Sequence, residues 1–317
     1  MKRSISLLAA LCLVVAAWTP ALAKTYVVSV SQIVEHPALD AVRNGFEKKL
    51  KELGVDAKIN VHIAQGNQAT AVQIASQILG EKPDLVMAIA TPTAQSCAQK
   101  IKDIPILFSA VTDPVGAGLV ASMEKPGANV TGMTDMPPID QQVALFKEIQ
   151  PDLTTMGVIY NAGEANSVSQ VEAFKKACKA AGIEVIDATV ANSSGVYQAA
   201  KSLVGKCQAV YIPLDNTVVS ALESAVKVCV ESKLPLYPSD TDSVPRGGIA
   251  ALAVNYGLMG EQTAEMAKRI LVDGAKPAGM PVEYLKQLEL MVNKKAAAEM
   301  GVTIPDNVLT HAKKVIE

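Results

Sequence analysis

Phe46-Glu-Lys-Lys-Leu-Lys-Glu-Leu-Gly54-Val55 and Phe174-Lys-Lys-Ala-Cys-Lys-Ala-Ala-Gly182-Ile183 align without a gap. Each reads as the end of an amphipathic helix, a glycine stop and the start of an apolar strand. One such joint could occur in any α/β protein, but two more matches follow in the same order. Leu85-Val-Met-Ala-Ile-Ala-Thr91-Pro-Thr93 answers Ala209-Val-Tyr-Ile-Pro-Leu-Asp215-Asn-Thr217, and Ile104-Pro-Ile-Leu-Phe-Ser109 answers Leu234-Pro-Leu-Tyr-Pro-Ser239. Three matched segments in one order argue for two copies of one lobe.

Outward from these segments, short apolar strands alternate with helical stretches along the whole chain. The pattern is that of a parallel sheet covered by helices on both faces. The fold class expected is therefore α/β, with two duplicated, doubly wound parallel-sheet lobes joined by a hinge. Met136-Pro137-Pro138 marks a first crossing between them, and Arg246-Gly247-Gly248 precedes a strand expected to return to the first lobe.

The ends and the composition bound the function. Met1-Lys2-Arg3, the apolar run Leu7 to Ala17 and Ala21-Leu22-Ala23 have the order of a secretory signal peptide, with cleavage expected after Ala23. Cys12 lacks the small residue directly before it that a lipoprotein signal places there, so the expectation is free release into a periplasm. Removing 23 of 317 residues leaves 294, which suits two domains. Without Lys2 and Arg3 the remainder holds 27 basic against 31 acidic residues, and no basic footprint for nucleic acid is present. Cys97, Cys178, Cys207 and Cys229 remain. Cys207 with Cys229 is the preferred disulfide, with Cys178 close enough to compete and four unpaired core thiols an equal alternative.

Ligands of open parallel sheets bind beyond the carboxyl ends of the strands. That rule selects Ser31, Gln32, Thr91, Thr93, Ala110, Thr112 and Asp113 from the first lobe, and Asn161, Asn166, Ser167, Asp215, Asn216 and Asp240 from the second. Hydroxyls, amides and carboxylates dominate the set, as a polar solute requires. Thr91 and Thr93 open a helix, so one is expected to cap it and the other to meet an anion such as a ligand carboxylate. Asp215 opens another helix, where it either caps or accepts a ligand ammonium. Asp113 precedes a proline and reads more readily as a turn former, so its loss should matter less than that of Asp215. Phe108, Tyr160, Tyr237 and Tyr256 lie near strand ends, where they either stack on a ligand or fill the core.

Several chemistries have no positive support. Neither a Gly-rich phosphate loop, nor a Gly-x-Ser-x-Gly elbow, nor a His-Glu-x-x-His metal site occurs. His36, His62 and His311 are scattered, though His36 lies in the first cleft loop. No catalytic group, cofactor or metal is expected.

The sequence resembles the ABC transporter substrate-binding family that includes tryptophan- and tyrosine-binding members. The resemblance rests on Gln32-Ile-Val-Glu-His-Pro-Ala-Leu-Asp40 with Gly45-Phe46, Val111-Thr-Asp-Pro-Val-Gly-Ala-Gly-Leu119, Asn129-Val-Thr-Gly132, Tyr160-Asn161, Pro213-Leu-Asp-Asn-Thr217 and Val254-Asn-Tyr256. It implies a type I periplasmic binding fold with three crossings, lobe one holding 24–131 plus 252–281 and lobe two 132–251 plus 282–317. It also implies closure on a small solute, an aromatic or branched apolar amino acid, with Thr91 and Thr93 at its carboxylate and Asp215 at its ammonium. The implied partner is the membrane permease of an ABC importer, and the protein is expected to act as a monomer. A sensory module for a membrane receptor and an exported α/β enzyme are the rival readings.

Overall fold

The computed structural model describes residues 24–317, so the expected leader, with Cys12, lies outside the described residues. The chain opens with β1 (Tyr26–Gln32), α1 (Pro37–Glu52), β2 (Ala57–Ile63), α2 (Gln68–Glu81), β3 (Leu85–Ile89), α3 (Thr91–Lys100), β4 (Ile106–Ser109) and β5 (Val130–Thr134). After the first crossing come α4 (Ile139–Ile149), β6 (Thr155–Tyr160), α5 (Ala165–Ala180), β7 (Glu184–Thr189), α6 (Val196–Leu203), β8 (Ala209–Ile212), α7 (Asn216–Val219), α8 (Leu222–Glu231), β9 (Leu236–Pro238) and β10 (Ala250–Ala253). The chain finishes with α9 (Tyr256–Leu271), β11 (Glu283–Tyr284), β12 (Glu289–Asn293), α10 (Lys294–Glu299), α11 (Asp306–His311) and β13 (Lys314–Ile316).

The duplication is visible in the strand order. The first sheet runs β2-β1-β3-β4-β5-β11 and the second β7-β6-β8-β9, so each lobe places its second strand outermost beside its first. Every pair in these two sheets is parallel. β3 and β8 are buried along their whole length, which is why Leu85-Val-Met-Ala-Ile89 and Ala209-Val-Tyr-Ile212 read as unbroken apolar runs. Two separate apolar cores result, one per lobe.

Side-chain caps fix where several helices begin. Asn67 accepts from Thr70 N, Asp215 from Val218 N, Asn255 from Leu258 N and Asn293 from Ala296 N. The helix expected over Val218 to Val230 is broken at Ser220-Ala221 into α7 and α8. α9 packs on α1 through facing glycines. A Cβ on Gly260 would stand 2.0 Å from Val42 O, and one on Gly45 would stand 2.2 Å from Gly257 O.

Three expectations are corrected. β10 does not return to the first lobe: it pairs antiparallel with β12, and Ile249 N donates to Leu236 O, which ties it to the second sheet. The return to lobe one, expected over 252–281, is shifted at both ends. Leu252 packs on the second core and Val254 belongs to the first, while Glu283 and Tyr284 pair with Met133 and Thr134 of β5. Last, the Cys207–Cys229 disulfide is not formed. Among the described residues the cysteines are free, and the Cys207 thiol lies 3.5 Å from the Leu203 carbonyl. These sulfurs pack as core groups, and burial pushes the Cys178 and Cys229 thiols up to about 12.

Candidate functional site

The carboxyl ends of both sheets face each other across a small cavity. Lobe one and its hinge contribute His36, Leu39, Ala110, Thr112, Asp135 and Tyr256, and lobe two contributes Asn166, Leu214, Asp215, Asn216, Val219 and Asp240. Backbone strain marks the lobe-one wall. Ala90 and Ala110 directly follow β3 and β4, with φ of 79° and 56°. Left-handed backbone at a residue with a Cβ costs about 1–3 kcal/mol and persists only where the surroundings enforce it.

The expected site residues divide by what their atoms already do. Ala110, Thr112, Asn166, Asp215, Asn216 and Asp240 line the cavity. Asp215, however, already accepts three hydrogen bonds within its own lobe: Oδ1 from Val218 N at 2.8 Å, and Oδ2 from Asn161 N and Ser167 Oγ, each at 2.6 Å. Its geometry is that of a helix cap that also ties down the end of β6 and α5. Asp240 is likewise engaged, by Ser243 N and Ser243 Oγ. Gln32 braces the loop after β1, donating to Val34 O and Asp40 and accepting from Arg43. Thr93 donates back to Ile89 O, while Thr91 Oγ and Ser31 Oγ are buried with no partner in the protein. Neither threonine lines the cavity.

Asn161 lies outside that cavity. Together with Pro92, Glu164, Asn216 and Thr217 it lines a wider, open groove along the same cleft. Tyr160 is half-buried beside Asp187 and Lys175, while Phe108 and Tyr237 are core residues. Asp113 does two jobs. Oδ1 accepts from Gly116 N in the turn expected, and Oδ2 accepts from Ser169 Oγ of lobe two at 2.6 Å.

Residues outside the expected ligand set complete the site. Asp135 closes β5; its Oδ2 accepts from Tyr256 Oη at 3.0 Å, and its Oδ1 has no partner in the protein. Burial, opposed by the Tyr256 hydrogen bond and reinforced by the Asp240 charge, raises its carboxyl to about 6. The strand-end rule selects this residue as readily as it selects Ala110. His36 precedes α1, and burial together with the Arg246 charge lowers it to about 3, so its ring is neutral. Leu214 is set in place by Gln170 Oε1, which accepts from Leu214 N at 2.8 Å. Gln170 in turn donates to Tyr211 Oη and Ser239 Oγ in the second core.

The sequence model of the family described as "ABC transporter substrate binding protein" matches residues 27–316. The chain belongs to this family. A tyrosine-binding protein of Clostridioides difficile (strain R20291) is 39% identical over 287 residues, covering 89% of this chain and 83% of its own. Two solved structures are similar over nearly the whole described chain. The domain in complex with L-Trp from Streptococcus pneumonia is 38% identical, with 92% of this chain and 100% of that one covered, and superposes with a TM-score of 0.89. The ligand-free, open structure of a substrate binding protein with adhesive properties from Clostridium difficile is also 38% identical, with 92% and 99% covered, and gives 0.69. At equal identity, this ABC transporter substrate-binding protein superposes better on the relative in complex with L-Trp than on the ligand-free, open one, and its Asp113 accepts from Ser169 between the lobes. No described helix is long and apolar enough to cross a membrane.

Proposed function

We propose that this chain is the exported, periplasmic solute receptor of an ABC importer, and that it captures an aromatic or branched apolar amino acid between its lobes. The observation that carries the reading is the inter-lobe cavity itself, where apolar Leu39, Leu214 and Val219 surround buried polar atoms with no partner in the protein. A fold does not leave such atoms in its interior without compensation. A solute with an apolar body and a polar head supplies both kinds of contact. The relatives named above for tyrosine and for L-Trp support the amino-acid class.

Binding contacts from both lobes stabilise the closed state over the open one, and that difference is the signal a permease reads. The protein acts as a monomer and as a carrier, without turnover. A thermal-shift screen of the protein lacking residues 1–23 against the twenty amino acids tests the proposal, because a ligand that binds only the folded state raises its melting temperature. The expected result is a concentration-dependent rise with tryptophan, tyrosine or a branched aliphatic amino acid. A flat response to all twenty overturns it.

A further inference from the structure

Resting on the amino-acid reading, we propose that the ligand's ammonium is the anchoring group, received by Asp135 Oδ1 from the hinge and Asn166 Oδ1 from lobe two. The site should then accept a primary amine of the right shape without a carboxylate and refuse the acid that lacks the amine.

Asp135, Asn166 and His36 are 5%, 3% and 8% exposed, and each presents one atom to the cavity with no partner in the protein. Two of these atoms are obligate acceptors. The Asn166 amide has its orientation fixed by its nitrogen, which donates to Leu214 O at 2.7 Å and to Glu164 Oε2 and Ser167 Oγ. Its oxygen therefore faces the cavity. Asp135 is fixed in the same way, since Tyr256 occupies Oδ2 and leaves Oδ1. The other carboxylates of the lining have their oxygens engaged, Asp215 by lobe-two donors and Asp240 by Ser243.

Charge agrees with geometry. Asp135, Asp215 and Asp240 line the cavity, and no lysine or arginine lines it. The nearby Arg246 is paired with Glu223 through Nε and Nη2, and its buried Nη1, outside the lining, has no partner in the protein. A free carboxylate entering alone meets a field of its own sign, whereas an ammonium with three N–H donors meets acceptors that lack them. Asp135 stands at the first crossing and Asn166 in α5, so one ammonium bridges the two sides of the cleft. That bridge exists only when the cleft is closed, which ties amine recognition to closure.

The test is calorimetric titration at pH 7.5 with three matched sets of probes: L-tryptophan, tryptamine and indole-3-propionic acid; L-tyrosine, tyramine and 3-(4-hydroxyphenyl)propionic acid; L-leucine, 3-methylbutylamine and 4-methylpentanoic acid. In the set whose amino acid binds, the amine should stay within about 30-fold of the amino acid and the acid should lose at least about 100-fold, as expected when a buried charge loses its partner. Asp135→Asn should cost the amino acid and the amine at least about 100-fold each while its melting temperature stays at or above that of the parent. An acid that binds as well as its amino acid, or an amine that loses as much as the acid, overturns the ammonium anchor and leaves the amino-acid reading standing. Binding by none of the three amino acids, together with a flat thermal-shift response to all twenty, overturns both.

Discussion

Asp135 and Asp215 show how two aspartates at strand ends take opposite roles through the partners around them. Asp215 satisfies three donors within its lobe, so Asp215→Ala orphans Asn161 N, Val218 N and Ser167 Oγ together. The expected loss is about 2–4 kcal/mol of folding stability, read by urea denaturation of the ligand-free protein. Burial raises both carboxyls, that of Asp215 to about 7 with the Glu164 charge beside it, but Asp135 has one donor where Asp215 has three. The folded Asp135 carboxyl sits near 6 against an ordinary 3.8, so its contribution to stability is present below the ordinary value and lost as pH rises through about 6. Asp135→Asn is therefore expected to raise ligand-free stability at pH 7.5 by about 1–3 kcal/mol, as judged by the denaturation midpoint. Ligand affinity has the opposite pH dependence, because an ammonium needs the ionised carboxylate. Tyr256, Asp240, Asp215 and the neutral His36 are the titratable groups around it; Asp215, raised to about 7 by burial and by Glu164, loses its charge over the same range, and His36 must shed its proton to be enclosed, both of which act in the same direction. Affinity should fall between pH 7.5 and pH 5, and a flat calorimetric profile over that range counts against this assignment.

Among the elements, the α1–α9 contact explains the glycine of Gly45-Phe46. A methyl at Gly45 or Gly260 collides with backbone, which no rotamer change relieves. Gly260→Ala is expected to cost about 1–3 kcal/mol or more in urea denaturation, while Gly80→Ala, whose added methyl meets nothing, should leave stability unchanged or slightly raised. Such close approach is invisible in sequence, because the helical period at Gly45 is the same whether it faces a backbone or a side chain. Element existence was legible for the opposite reason. Apolar runs such as Leu85–Ile89 and glycine stops such as Gly54 and Gly182 are local, and the strands and helices fall where they place them. The split of α7 from α8 and the pairing of β10 with β12 were not, since both depend on partners distant in sequence.

For the molecule as a whole, closure is the property that matters, and Asp113–Ser169 is a hydrogen bond made across the cleft. Ser169→Ala should leave the unfolding free energy of each lobe nearly unchanged and weaken ligand binding about 5- to 30-fold, as one charge-assisted bond is lost from the closed state alone. Small-angle scattering with ligand should show a larger open fraction than the parent at equal occupancy; equal affinity and equal scattering would remove the contact from the closure energetics. The sequence by itself determined the duplicated α/β lobes, the polar character of the strand ends and the family, because periodicity, glycine stops and motif spacing are properties of neighbouring residues. Only the tertiary structure decided which aspartate has an oxygen to spare. Hydrogen-bond saturation depends on every donor that the fold brings within 3 Å, and for Asp215 those donors come from β6, α5 and α7, whereas for Asp135 the fold supplies Tyr256 to one oxygen and leaves the other facing the cleft.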